Sequence, residues 1–378
     1  TARPRTPRTH CASSPPSLVQ TLVNVIEPDH GIVTDPACGS GGMFVQTSHF
    51  LEKVGKPAHE AVTFYGQEKT AATIRLAKMN LAVHGLEGSI AEGNSFYEDQ
   101  HDLLGRADFV MANPPFNVDE VDAEKIKNDE RLPFGLPGVN KSKKVSNGNY
   151  LWVSYFYSYL NPKGRAGFVM SSQASSAGNA EKEVRRKLVE TGHVDAMISI
   201  RSNFFYTRTV PCELWFLDKG KPANMLDKVL MLDARNVFRK VTRKVYDFSP
   251  EQLQNLTAIV WLYRGQQVRY LQLVNDYLNQ VCEEATKVPA QLYAYDVLLH
   301  NLENVIDNFL NVAPKAAVEG TDLIANFHEW TLAYGNYSHD REALLQELAS
   351  YRDTWCPNVL QSNEWQQQAR EAFEPLAT

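Results

Sequence analysis

From residue 17 to about 218, short apolar runs alternate with stretches in which apolar positions recur every three or four residues. The short runs, bounded by Gly, Pro, Asn and Asp, read as buried strands, and the longer periodic stretches read as amphipathic helices. This pattern predicts strands at 31–36, 62–67, 89–92, 107–112, 166–171, 194–199 and 211–217. Helices are predicted between them at 18–26, 43–54, 70–84, 150–160 and 180–191. Such alternation gives an α/β fold, a doubly wound and mostly parallel seven-stranded sheet covered on both faces. Residues 17–248 form that domain. After 248 the strands stop. Ser249 is placed to cap a helix with Pro250 at its first position and Gly265 at its stop. Periodic stretches follow at 268–311, 321–332 and 338–373, so 249–378 reads as an α-helical carboxyl-terminal region. It is either a helical domain packed on itself or a surface for a partner subunit. Residues 1–16 are basic, rich in Pro and Ser and without apolar period, and read as an irregular segment.

A net charge of -6 excludes a uniformly basic nucleic-acid coat. A polyanion partner has to be met locally, at Arg185-Arg186-Lys187, at Lys141 to Lys144 or at Arg239-Lys240 to Lys244, and such a stretch is more often just a solvated face. Five scattered cysteines, Cys11, Cys38, Cys212, Cys282 and Cys356, suggest neither a disulfide framework nor a zinc site. With no secretory signal and no long apolar run, the expected compartment is the reducing cytoplasm, away from any membrane.

Chemistry concentrates at strand ends. The first predicted strand ends in DPACGSGG, Asp35, Pro36, Ala37, Cys38, Gly39, Ser40, Gly41 and Gly42, directly before a helix. Clustered Gly lets a ligand approach the backbone, and a helix amino terminus offers N–H donors. The pattern is neither G-x-G-x-x-G nor a P-loop. Asp35 would repel a phosphate there and suits a cationic amino group. Glu68 at the end of the second strand is placed to hold ribose hydroxyls, or is a surface or capping residue. Asn94 in GNSF is placed to read an adenine amine. A nucleoside with an amino-acid tail, S-adenosylmethionine, fits these groups better than a dinucleotide. The fourth strand ends in Asn113-Pro114-Pro115-Phe116, and because Pro cannot donate to a ladder the strand must stop at Asn113.

In this order the motifs resemble those of the amino-methyltransferases of DNA. The resemblance implies a class I, Rossmann-like S-adenosylmethionine-dependent fold and a target adenine swung out of the duplex. Asn113 and the Pro114 carbonyl would accept hydrogen bonds from its N6 amine, Pro115 would stiffen the turn and Phe116 would stack. Cytosine C5 methylation would need a Pro-Cys nucleophile, which is absent. Longer stretches, among them EPDHGIVTDPACGSGGMFVQTSHF and NYLWVSYFYSYLNPKGRAGFVMSSQ, are similar to the modification subunit of type I restriction-modification systems over about residues 15 to 265.

That resemblance implies adenine-specific DNA methylation, with DNA, a specificity subunit and a restriction subunit as partners. Such subunits begin with a helical domain, and Ser14-Pro15 stands where their Thr-Pro is expected, so the chain reads as amino-terminally truncated. Rival readings are a non-catalytic assembly subunit and a protein glutamine N5-methyltransferase, which shares the Asn-Pro-Pro-aromatic turn. The segment 117–148 is either a DNA contact or a disordered insertion. His84, His101 and His193 read as isolated, and the aromatic run at 150–160 as core.

Overall fold

The computed structural model describes residues 15–205, 210–313, 322–355 and 363–377. Residues 1–14, with Cys11 and Ser14, and Cys356 lie outside the described residues. The chain divides into two compact units, 1–264 and 265–378.

The first unit is built on an eight-stranded sheet: β1 (Gly31–Asp35), β2 (Val62–Glu68), β3 (Gly88–Glu92), β4 (Ala107–Ala112), β5 (Leu160–Ser171), β6 (Val194–Ile200), β7 (Cys212–Asp218) and β8 (Leu230–Asp233). In these labels the spatial order is 3-2-1-4-5-7-6-8. Every pairing is parallel except those of β7 with β5 and β6. All seven expected strands are present, and β8 corrects the expected count. Its four residues sit half exposed on the edge beside β6, too short and too weakly patterned to stand out.

Alternation along the central strands sorts side chains into two cores. From β4, Phe109 and Met111 join Leu18, Val33, Phe44 and Phe64 on one face. Val110 and Ala112 join Tyr150, Phe156, Phe168 and Trp215 on the other. Omitting one-turn helices, the first face is covered by α1 (Pro16–Ile26), α2 (Gly42–Lys53) and α3 (Ala71–Val83), and the second by α4 (Asn149–Tyr159) and α5 (Asn179–Glu190). The aromatic run of α4 is core, as its period suggested. Segment 117–148 is no disordered insertion. A ladder pairs Val121 with Val145, and Val121, Ala123, Ile126, Phe134 and Val145 are buried in the second core.

Helix α6 (Pro250–Tyr263) carries the expected cap: Ser249 and Gln252 form a reciprocal capping box. It belongs to the first unit, so the boundary falls after Arg264 rather than after 248. Leu253, Leu256 and Val260 enter the first core. Trp261 Nε1 donates to Glu27 Oε1 at 3.1 Å. Arg264 donates to the Val25 carbonyl at 2.6 Å and pairs with Asp195 at 2.7 Å, the two side chains 12% and 4% exposed.

The second unit holds α7 (Gln267–Val312), α8 (Leu323–Trp355) and α9 (Asn363–Phe373). Helix α8 runs unbroken where the sequence suggested a stop near 332, since an interior Gly such as Gly335 costs a helix only about 1 kcal/mol. Cys38 and Cys212 are free, buried thiols, whereas Cys282 is disulfide-bonded, a pairing the scattered spacing did not announce. Among the described residues no helix is long and apolar enough to cross a membrane.

Breaking the Arg264–Asp195 pair strands a buried carboxylate. Arg264→Met should cost the first unit about 3–5 kcal/mol in urea unfolding, the range for half of a buried pair removed. A loss below about 1 kcal/mol would mean that the pair behaves as a surface ion pair.

Candidate active site

Because β1 lies between β2 and β4, the chain winds one way from β1 through β2 to β3 and then crosses to the other side of β1 to enter β4. The crevice outside the carboxyl ends of parallel strands at such a switch point is where doubly wound folds bind ligands. The structure brings all four motif loops there.

Asp35, the last residue of β1, is 2% exposed and sits in register with Gly66 of β2. Its Oδ1 accepts from the Ala37 N–H at 2.9 Å. Burial pushes its carboxyl up to about 8, against the pull of the Ala37 N–H, and the neighbouring charge of Glu68 adds to the rise. A buried acid with one hydrogen bond and a like charge beside it lacks a cation. Gly39 and Gly41 hold left-handed φ values of 53° and 77°, which bend the loop into the amino terminus of α2. A Cβ on Gly39 or Gly42 would meet nothing within 4 Å, so the loop faces open space. Behind it the fit is tight. A Cβ on Gly66 would lie 2.6 Å from Ile90 and 2.9 Å from the Cys38 sulfur. The Ser40 carbonyl accepts from Asn80 of α3 at 2.9 Å. Burial first, then Asp35 and Glu68, push the Cys38 thiol well above its ordinary range, so it stays protonated and is no nucleophile.

Glu68 closes β2, with Oε1 accepting from the Thr70 N–H at 3.0 Å. Gln67, buried beside it, donates to the Glu98 carbonyl at 3.0 Å and accepts from the Gln100 N–H at 3.1 Å, fixing the loop after β3. In that loop Asn94 Oδ1 accepts from the Phe96 N–H at 3.2 Å, so its oxygen shapes the turn while its NH₂ retains the donors. Ser95 donates to the Pro36 carbonyl and ties this loop to DPACGSGG.

The fourth loop leaves β4 at Asn113. Pro114 is buried, Pro115 exposed, and Asn113 and Phe116 half-buried. Phe116 meets Phe205 edge to face, ring centres 6.1 Å apart. Asn117 comes next in a left-handed conformation, φ 55°, which Asn tolerates better than most residues. It is locked there by Asn149, 2% exposed at the start of α4. Asn149 Oδ1 accepts from the Asn117 N–H at 2.8 Å and Asn149 Nδ2 donates to Asn117 Oδ1 at 2.9 Å. Asn147 donates to the same oxygen at 3.1 Å.

Sequence reasoning missed Asn117, Asn149, Arg131 and Phe205. Arg131 comes from the 117–148 segment and is 5% exposed. It pairs with Asp129 at 2.7 Å and donates to the carbonyls of Ser95 at 3.0 Å and Glu98 at 3.2 Å. Its face lies over Tyr155, 4.4 Å from the ring centre. An isolated Arg in a polar stretch gives no sign of this; Asn149, directly after Gly148 where a helix begins, was the one available signal. The histidines are ordinary: His101 meets the Gly66 carbonyl, His193 the Tyr157 hydroxyl and His84 the Asn80 carbonyl. No cluster suited to a metal ion occurs among the described residues.

Residues 13–305 match the N-6 DNA Methylase family. The methylase subunit of the type I restriction enzyme MjaIX from Methanocaldococcus jannaschii is 38% identical over 247 residues, which is 64% of this chain and 43% of that protein. The HindI methylase subunit from Haemophilus influenzae is 32% identical over 250 residues, 64% of this chain and 53% of that protein. The chain thus spans about half the length of the curated relatives it matches. Among solved structures, the type I restriction-modification methyltransferase subunit from Streptococcus thermophilus superposes with a TM-score of 0.58 at 21% identity, covering 66% of this chain and 52% of that one. This likeness is one of fold. With the family match running through all four motif loops, the chain belongs to the N-6 DNA methylase family.

Proposed function

We propose that this chain transfers a methyl group from S-adenosylmethionine to the N6 amine of an adenine in DNA, as the modification subunit of a type I restriction-modification complex. The observation that carries the reading is the adjacency of β1 and β4, with Thr34 opposite Val110, so that the Asn113-Pro114-Pro115-Phe116 turn stands beside the Asp35 loop. The residues fit the cofactor. Asp35 lacks a cation that an amino group would supply, and the open face at Gly39 and Gly42 admits a ligand against the backbone at the start of α2. The loop from Pro36 through Ala37, Gly39, Ser40 and Gly41 to Gly42 cradles the amino-acid end, Glu68 takes the ribose hydroxyls and Asn94, whose oxygen accepts from the Phe96 N–H and keeps a second lone pair, reads the adenine amine.

S-adenosylmethionine, when bound, supplies the methyl group from a sulfonium centre. The protein's part is to hold an unreactive amine. The lone pair of an exocyclic N6 is delocalised into the ring, and two in-line acceptors favour the pyramidal geometry in which it is available. The Asn113 side-chain oxygen and the Pro114 carbonyl are those acceptors, and Phe116, braced by Phe205, stacks on the base. Pro114 and Pro115 fix the turn, and the Asn149 clamp fixes Asn117 at its exit. As the N–C bond forms and the S–C bond breaks, N6 becomes cationic and releases its proton to solvent, so neither a cysteine nor a metal is called on. Positioning supplies the rate.

A specificity subunit and a restriction subunit complete the proposal. Helix α7 buries no side chain among its described residues and exposes Val268, Tyr293, Leu298, Val305 and Phe309, which supports a partner subunit covering it.

Calorimetric titration with S-adenosylmethionine tests the cofactor site; a folded sample that does not bind supports the non-catalytic assembly reading. The Asp35 carboxyl is raised from 3.8 to about 8, so its own contribution to the stability of the ligand-free protein is fully present below about pH 4 and is lost as pH rises through about 8. Asp35→Asn should flatten this trend in thermal melts. Cofactor affinity should rise as pH approaches 8, because a cationic amine favours the carboxylate, and the variant should lose that dependence. With DNA and a specificity subunit present, Asn113→Ala and Phe116→Ala should each lower methyl transfer by a factor on the order of a hundred or more, with cofactor binding unchanged. Full transfer by Asn113→Ala would remove that residue from the mechanism.

A further inference from the structure

Of the three basic stretches in the sequence, the structure commits every cation of one, and two of the three lysines of another, to partners within the fold. Arg185 donates to the Tyr150 hydroxyl and the Ala174 carbonyl, Arg186 pairs with Glu183 and Glu190, and Lys187 donates to the Phe134 carbonyl. Lys143 and Lys144 pair with Glu124 and Asp122. The third stretch differs. It forms a hairpin in which Arg239 stands opposite Asp247 and Lys240 opposite Tyr246. Its turn is closed by the Val241 and Thr242 N–H groups on the Val245 carbonyl. Arg239 pairs with Asp247 at 2.7 Å. Lys240, Arg243 and Lys244 are exposed, and none forms an ion pair among the described residues.

Beneath the hairpin lies a fourth cation. Arg201, directly after β6, stacks its guanidinium 4.0 Å from the Phe238 ring centre and 4.9 Å from that of Tyr246. Its Nε is buried with no hydrogen-bond partner. The Phe238 and Tyr246 ring centres are only 4.9 Å apart, so both rings lie on one side of the guanidinium and leave its other side and its terminal N–H donors for an acceptor, and Arg stacked on aromatic rings recognises phosphate in this way. The hairpin is held to the active-site side of the sheet, since the Tyr246 N–H donates to the Asn203 carbonyl at 2.9 Å and Phe248 packs on Phe204 at 4.8 Å. Phe205, the next residue, is the one that meets Phe116. The basic tip therefore stands on the flank of the base pocket, in a protein whose overall charge is -6.

We infer that the hairpin 239–247 together with Arg201 binds the phosphodiester backbone of duplex DNA beside the flipped base. The inference rests on DNA being the substrate and goes beyond it by assigning the groove-flanking grip to this chain rather than to a partner subunit. Phosphate contacts carry no sequence information; they set position and make affinity depend on salt.

The test is nonspecific binding of a short DNA duplex by the whole chain with S-adenosylmethionine present, measured across salt from about 50 to 200 mM. The variant Lys240→Ala/Arg243→Ala/Lys244→Ala should lower the slope of log K against log salt by about 2 to 3, close to one unit for each phosphate no longer neutralised. Arg201→Met should weaken DNA binding further, and Arg201→Lys, which keeps charge but not the flat stack, should not restore it. Cofactor titration and melting temperature should match the parent in all of them. Wild-type binding with an unchanged slope in the triple variant overturns the hairpin site and leaves the methyltransferase reading standing. Cofactor binding without any DNA binding by the wild type overturns the DNA reading for this chain and the hairpin with it.

Discussion

Two registered pairs, Val33 with Phe109 and Thr34 with Val110, hold β1 parallel to β4. The direction of winding reverses at this seam, and the loops that leave its two strands have no crossover helix between them. A buried acid at the end of one strand and a rigid Asn-Pro-Pro turn at the end of the other are thereby set side by side. No local property of either loop would achieve this. Parallel strands need long connections, and the right-handed rule for those connections fixes which face each helix covers, so the seam determines the placement of α2 and α4 as well.

Held at this seam, the loops are made rigid by buried polar groups rather than by apolar packing. Gln67, Ser95, Arg131 and Asn149 each tie the segment they belong to onto a backbone group of a site loop. A buried backbone carbonyl without a partner costs about 1–3 kcal/mol, so each bridge strongly selects one loop conformation. The 117–148 segment contributes Arg131, and its own ladder and apolar cluster stabilise it as part of the second core. It braces the loop after β3 through Arg131, and most of its lysines pair with its own acids.

Asp35 is less fully satisfied than these bridging groups. Its neighbours leave it one hydrogen bond and a like charge, and its protonation near neutral pH is the energetic consequence of that deficit. Deficits of this kind cluster at functional sites because a ligand can make them good. Arg201, with a buried Nε that has no hydrogen-bond partner and two aromatic rings against its guanidinium, is another such deficit on the same side of the sheet.

The sequence by itself determined the elements and the chemistry at their ends. Seven strands, the helices that cover them, the Ser249 cap and the four motif loops were legible because period, Gly and Pro act over a few residues, which is the range a sequence displays. The tertiary structure decided what depends on contacts far apart in the chain. Edge strand β8 forms because β6 offers a free ladder, and α6 joins the first unit because the first core receives Leu253, Leu256 and Val260 while Asp195 and Val25 receive Arg264. Likewise Arg131, Asn149, Phe205 and Arg201 look ordinary in sequence and acquire roles from partners that only folding brings near. A side chain's identity fixes what it can bond, whereas burial and the groups around it fix which of those bonds it makes.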